Sequence, residues 1–184
     1  MKKVIIPIII IVFILVIIGI YQLIKYIDYK SRIDNLNKYS LNSDETIHKE
    51  FSYKNNDYVI TNYNDNHSSY YSHNILLKDS NKYYLLDTLN KCDISDYLDN
   101  NEYYINCIGK KGSIIKYTFN GTSVKKDIIN LNYKNTSNTN QRYLTIDNVD
   151  NSYIYMHSNM KNDDNIKEGN SIKCNLSTRI CEYN

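Results

Sequence analysis

The chain predicts an all-β antiparallel meander carried on an amino-terminal transmembrane helix, and three features of the sequence predict it. Residues Val4 to Ile24 run almost unbroken through Ile, Val, Leu and Phe. From Phe51 onward, short Tyr/Ile/Val runs alternate with clusters of Asn, Asp, Ser and Gly, the pattern of strands joined by polar turns. Four cysteines, Cys92, Cys107, Cys174 and Cys181, fall symmetrically about candidate hairpin turns.

The anchor comes first. At 1.5 Å per helical residue, positions 4–24 reach roughly 30 Å, the thickness of a bilayer's hydrocarbon core, which exceeds a signal-peptide apolar region. The chain contains no Ala, so no A-x-A processing site follows the apolar run and the anchor is expected to stay attached. Positions 1–3 then form a short cytoplasmic stub. Lys2 and Lys3 on one side compete with Lys25, Lys30 and Arg32 on the other, so charge alone does not orient the helix. The very short amino-terminal tail and the cysteines favour the amino terminus inside and the carboxy-terminal domain outside, as a single-pass protein. Ile24, Ile27, Ile33 and Leu36 lie near helical spacing, which extends the helix as a stalk and linker over 25–45 and offers a seam for a homo-oligomer.

Positions 46–184 are the size of one ordinary domain. The formal net charge is +2, with Lys spread among Asp and Glu, so the basic stripe required by a nucleic-acid binder is absent. Richness in Asn, Ile, Lys and Tyr without Ala or Trp is the bias that AT-rich codons produce. The periodicity predicts strands near 57–63, 70–77, 82–88, 92–97, 102–108, 113–119, 123–131, 142–147, 152–158, 170–175 and 179–183. Asn120-Gly121 is the strongest hairpin signal between them, because both central residues of a type I′ turn need positive φ. Asn55-Asn56, Asp79-Ser80-Asn81, Asp99-Asn100 and Asp150-Asn151 are further turns, and Asn135 to Asn140 is a polar loop.

The second half of the chain contains an internal repeat. Asp96-Tyr97-Leu98-Asp99-Asn100 followed by Tyr103-Tyr104-Ile105 recurs as Asp147-Asn148-Val149-Asp150-Asn151 followed by Ile154-Tyr155-Met156, at a constant offset of 51. Gly112, Ile115-Lys116-Tyr117 and Phe119 then align with Gly169, Ile172-Lys173-Cys174 and Leu176 at an offset of 57, the extra residues falling in the polar stretch Asn159 to Lys167. Each unit reads strand, turn, strand, loop, strand, turn, strand, and so resembles a blade of the β-propeller repeat proteins. The resemblance implies partial propeller-like blades. A sandwich or open barrel of similar hairpins fits the same pattern.

A two-residue turn at Ser177-Thr178 sets Cys174 and Cys181 directly opposite, and one at Asp99-Asn100 does the same for Cys92 and Cys107. Facing Cβ atoms in an antiparallel pair lie about 4.5–5.5 Å apart, within reach of a disulfide after a small shift. The two bridges would contribute about 2.5 and about 3 kcal/mol to a domain of about 5–15. Zinc is disfavoured, since the cysteine gaps of fourteen and six residues do not match C-x2–4-C ligand pairs. Reduced, buried thiols are the other alternative, and a Cys–His catalytic pair involving His157 is a weaker one.

His48, His67, His73 and His157 form no HxxxH or HExxH spacing, and no phosphate-binding or nucleophile motif is present. Asp163, Asp164 and Glu168 lack the alternating ligands of an EF-hand. Sequons at Asn66, Asn120, Asn135 and Asn175 are as frequent as chance gives in so Asn-rich a chain. The 20 tyrosines offer either core or an adhesive, glycan-stacking face. The expected function is therefore non-catalytic, without cofactor or metal: a binding module with a protein or surface-glycan partner, held to the lipid bilayer through residues 4–24. Its paired cysteines and amino-terminal anchor also resemble small envelope proteins of AT-rich large DNA viruses, which implies work in a multiprotein virion complex. A membrane-tethered glycan hydrolase using Asp87, Asp93 or Asp147 is a third reading.

Overall fold

In hydrocarbon a chain can satisfy its backbone hydrogen bonds only within itself, and Lys2–Asp34 forms one α-helix, α1, in the computed structural model. The backbone is described for residues 2–64, 71–90, 92–108, 113–133, 144–158 and 171–183. The chain divides into two units, Met1–Asn37 and Lys38–Asn184. Within α1, Ile9–Asp34 has a mean hydropathy of 2.5 and is long and apolar enough to cross a membrane. Its Ile, Val, Leu and Phe side chains from Ile9 to Ile27 stand exposed.

The second unit is built from antiparallel meanders, three of them in succession. In the first, β2 (Glu45–Tyr53), β3 (Asn56–Asn64), β4 (Tyr71–Asp79) and β5 (Lys82–Leu89) pair in chain order, with β1 (Asn37–Tyr39) added beyond β5. In the second, β6 (Asp93–Asp99), β7 (Glu102–Ile108), β8 (Ser113–Asn120) and β9 (Ser123–Asn130) follow one another. β10 (Asn132–Tyr133) then joins the third, where β11 (Leu144–Val149), β12 (Tyr153–Ser158), β13 (Ser171–Asn175) and β14 (Ile180–Tyr183) pair in sequence. The pairing of β10 with β14 is parallel, an exception to the antiparallel expectation. The described strands close neither a barrel nor a propeller.

Two elements differ from the sequence expectation. The helix ends at Asp34 instead of continuing as a stalk to 45, and Asn37–Tyr39 and Glu45–Tyr53 are strands. What holds them is polar: the Glu45 carboxylate accepts from the Tyr39 hydroxyl at 2.8 Å, from Asn74 Nδ2 at 2.9 Å and from the buried Thr61 hydroxyl. β2 is an edge strand with little burial, so it lacks the apolar alternation that marks a strand in sequence.

Turn chemistry sets the registers. Lys54 and Asn55 both take positive φ, 46° and 63°, between the paired residues Tyr53 and Asn56, as a type I′ hairpin requires. Gly121 and Thr122, rather than Asn120-Gly121, are the central pair of the β8–β9 hairpin, and only Gly121 has positive φ, the demand of a type II′ turn. The β6–β7 turn is Asn100-Asn101, one residue later than expected, so Cys107 sits opposite Ile94 instead of Cys92. The β13–β14 loop is longer than the expected two residues: Asn175 Oδ1 accepts from the Ser177 and Thr178 amides at 2.9 and 2.8 Å, and Arg179 closes the loop at φ 61°. Because residues are added equally on both sides, Cys174 still faces Cys181.

The meanders pack face to face. Phe51, Tyr58 and Phe119 join the first to the second, with ring centroids 4.6–5.3 Å apart. Tyr104 and Ile114 of the second enter one core with Ile146, Ile154, Met156 and Ile172 of the third. Each fully buried side chain of this size stabilises the fold by about 1.5–3 kcal/mol. The first strands of successive meanders also meet: Lys49 on β2 reaches Asp96 on β6, and Ser95 on β6 accepts the Ile146 amide of β11 at 2.7 Å. The Asn135 to Asn140 loop, the insertion Asn159 to Lys167, Gly112, Gly169, His67, the Asn66 and Asn135 sequons, and the cluster Asp163, Asp164 and Glu168 lie outside the described residues.

Candidate functional site

The predicted cysteines pair as expected: Cys92 with Cys107 at an S–S distance of 2.11 Å, and Cys174 with Cys181 at 2.05 Å. All four are buried, and no cysteine is free. Cys174–Cys181 spans facing positions of one hairpin, whereas Cys92 precedes β6 and ties the crossover between the first two meanders to β7.

Packing divides the tyrosines between core and surface. Tyr58, Tyr84, Tyr103, Tyr104 and Tyr117 are core, while Tyr153 and Tyr155 lie on the side of β12 opposite the buried Ile154 and Met156. Register places Lys173 beside Tyr155 on one flank and Glu182 on the other, and Asn175 beside Tyr153. Lys173 Nζ lies 3.9 Å from the Tyr153 ring centre and 5.5 Å from that of Tyr155, a cation held over two rings. Asp150 accepts from the Ser152 and Tyr153 amides at 2.7 Å each and from the Tyr155 hydroxyl at 3.0 Å. The two amide bonds, first that of Ser152, hold its carboxyl below the usual range, with help from Tyr155 and the Lys173 charge.

Tyr153, Lys173, Asn175, Thr178, Ile180 and Glu182 line a shallow groove of about 220 Å³ on this face. That is smaller than the enclosed clefts of about 300–1,000 Å³ that bury small ligands. It suits surface contact. Lys173 and Glu182 carry no motif, and besides the Asn175 sequon only the repeat alignment, which sets Lys173 against Lys116, points to their neighbourhood in the sequence.

A second polar cluster sits between the first two meanders. Asp96 accepts from His48 Nε2 at 2.9 Å and from Lys49. Burial alone would raise its carboxyl, but the His48 and Lys49 hydrogen bonds and the Lys49 charge outweigh that and bring it down to about 2. His48 Nδ1 faces Asn62 Nδ2 at 3.4 Å, Asn62 Oδ1 faces His73 Nδ1 at 2.6 Å, and His73 Nε2 bonds the Cys92 carbonyl. Both outer ring nitrogens face acceptors, and one amide cannot present its oxygen to one ring without turning its NH2 to the other. Tyr103, whose buried hydroxyl lies toward Asp96, is pushed up by burial and then by that charge.

The remaining candidate carboxylates have separate partners. Asp87 is held by Lys126 at 2.8 Å and the Tyr117 hydroxyl at 2.6 Å, Asp147 by His157 at 2.6 Å. The side chain of Asp93 lies outside the described residues. Among the described residues no three His, Cys, Asp or Glu side chains gather as a metal site. Comparison with family models, curated proteins and solved structures finds no match.

Proposed function

We propose that this chain is a membrane-anchored binding module without catalytic activity. α1 holds it as a single-pass anchor with the amino terminus cytoplasmic, and the disulfide-stapled β-domain stands on the extracytoplasmic side. The four-stranded meanders act as propeller-like blades in an incomplete stack, and the outer face of β12–β14 is the contact surface. The observation that carries the reading is that face: two tyrosines, a lysine and a glutamate around a shallow groove. Rigid tyrosine rings give large contact area at little cost in side-chain entropy. The carboxylates favour binding over hydrolysis, because Asp87, Asp96 and Asp147 each bond a different partner, Lys126, Lys49 and His157, whereas a glycosidase needs two facing carboxyls across one bond. The paired cysteines fit an oxidising compartment.

The test is photocrosslinking in the native membrane, with a photoreactive residue replacing Tyr155 in one sample and the exposed Lys54 in another. A discrete adduct at 155 and none at 54 supports the reading. Equal labelling at both, or none at 155, refutes it.

A further inference from the structure

The third meander repeats the second in register as well as in order. Tyr104 pairs with Lys116 across β7–β8 and Tyr155 pairs with Lys173 across β12–β13. The offsets of 51 and 57 hold at every rung: Ile105 and Ile115 correspond to Met156 and Ile172, Asn106 and Ile114 to His157 and Ser171. Even the cation over the ring is kept, Lys116 at 5.3 Å from Tyr104 and Lys173 at 5.5 Å from Tyr155.

This equivalence identifies what the exposed face is. In the second meander the Tyr104 and Ile114 side is covered by the third, and both residues are buried. In the third the corresponding side carries the half-buried Tyr155 and the exposed Ser171, and no described strand covers it, although it is a face of the kind that in the second meander seats another sheet. Tyr58, Val59, Ile60 and Thr61 of β3, which point alternately to the two sides of the first meander, are all 0% exposed, so that strand offers no open face for head-to-tail growth.

Resting on the binding reading above, we propose that the occupant of this face is a second copy of the chain, docked outer face to outer face about a two-fold axis. Such an interface must be self-complementary. Lys173 and Glu182 are cross-strand neighbours, so a two-fold axis passing between them sets each Lys173 against the partner's Glu182, around the tyrosines and Ile180 of both. Anchoring both copies in one membrane raises their effective concentration.

The test uses the full chain in membranes, coupled with a zero-length carbodiimide that joins touching ammonium and carboxylate groups. The chain is compared with Lys173→Glu, Glu182→Lys and the double exchange. The expected result is a covalent dimer whose cross-linked peptide joins 173 to 182, lost in either single variant, which sets like charges together and leaves no ammonium–carboxylate pair to couple, and restored in the double. Retained disulfides and tyrosine circular dichroism show that each variant is folded. A monomer, a dimer joined elsewhere, or a double exchange that fails to restore it overturns the proposal. If 173 instead couples to a different protein, the second-copy proposal falls while the binding reading stands; if 173 couples to nothing, both fall.

Discussion

Asp96 is one of the points where the first two meanders lock together electrostatically, Asp87 with Lys126 being another, and replacing Asp96 with Asn tests that role. The change keeps the shape of the side chain and removes the charge that His48 and Lys49 face from β2. The carboxyl sits at about 2 against an ordinary 3.8, a difference worth at most about 2.4 kcal/mol by linkage. Partial solvent exposure of all three groups reduces this to about 1–2 kcal/mol. The sign follows from the depressed value: the contribution is fully present above about pH 4 and is lost as pH falls toward 2. Thermal unfolding followed by tyrosine near-ultraviolet dichroism should therefore show Asp96→Asn melting about 3–7 °C below the parent at pH 7. The gap should close progressively between pH 4 and pH 2. An undiminished gap at pH 2, or no gap at pH 7, would refute the reasoning.

Two further predictions follow from the packing. Phe119→Ala removes a fully buried ring lying 4.9 Å from Phe51 and 4.6 Å from Tyr58, and should cost about 3–5 kcal/mol, measured as a fall in melting temperature of roughly 10 °C; a loss of only a degree or two would mean that the first two meanders do not share this core. Cys107→Ser opens a loop spanning 15 positions and should cost about 3 kcal/mol, read in the same melt, with no change contradicting the staple.

How much of this was legible in the sequence depends on what each feature rests on. The Cys174–Cys181 pair was readable because it follows from hairpin arithmetic, and it survived a longer loop because the added residues are symmetrical. Cys92–Cys107 came out correctly paired in spite of a turn displaced by one residue, since the tie is made by the crossover before β6 and not by a ladder partner. Strands such as β8, with its alternating burial, announce themselves. β2 does not, because an edge strand held by Glu45, Tyr39 and Asn74 shows polar residues on both sides. The outer tyrosine face was only half visible: parity could not separate Tyr155 from Tyr104, which occupies the same repeat position and is buried. What differs is whether another sheet follows, and that belongs to tertiary structure. The Asp96 cluster had no local signature, because its members are drawn from β2, β3, β4 and β6.

The most direct test of the account is disulfide mapping by mass spectrometry on the full chain taken from its membrane without reduction. It examines together the stacked hairpin registers and the extracytoplasmic placement of the β-domain. The account predicts Cys92–Cys107 and Cys174–Cys181 linked peptides and no free thiol. Crossed pairs would contradict the meander registers, and four free thiols would contradict the placement outside.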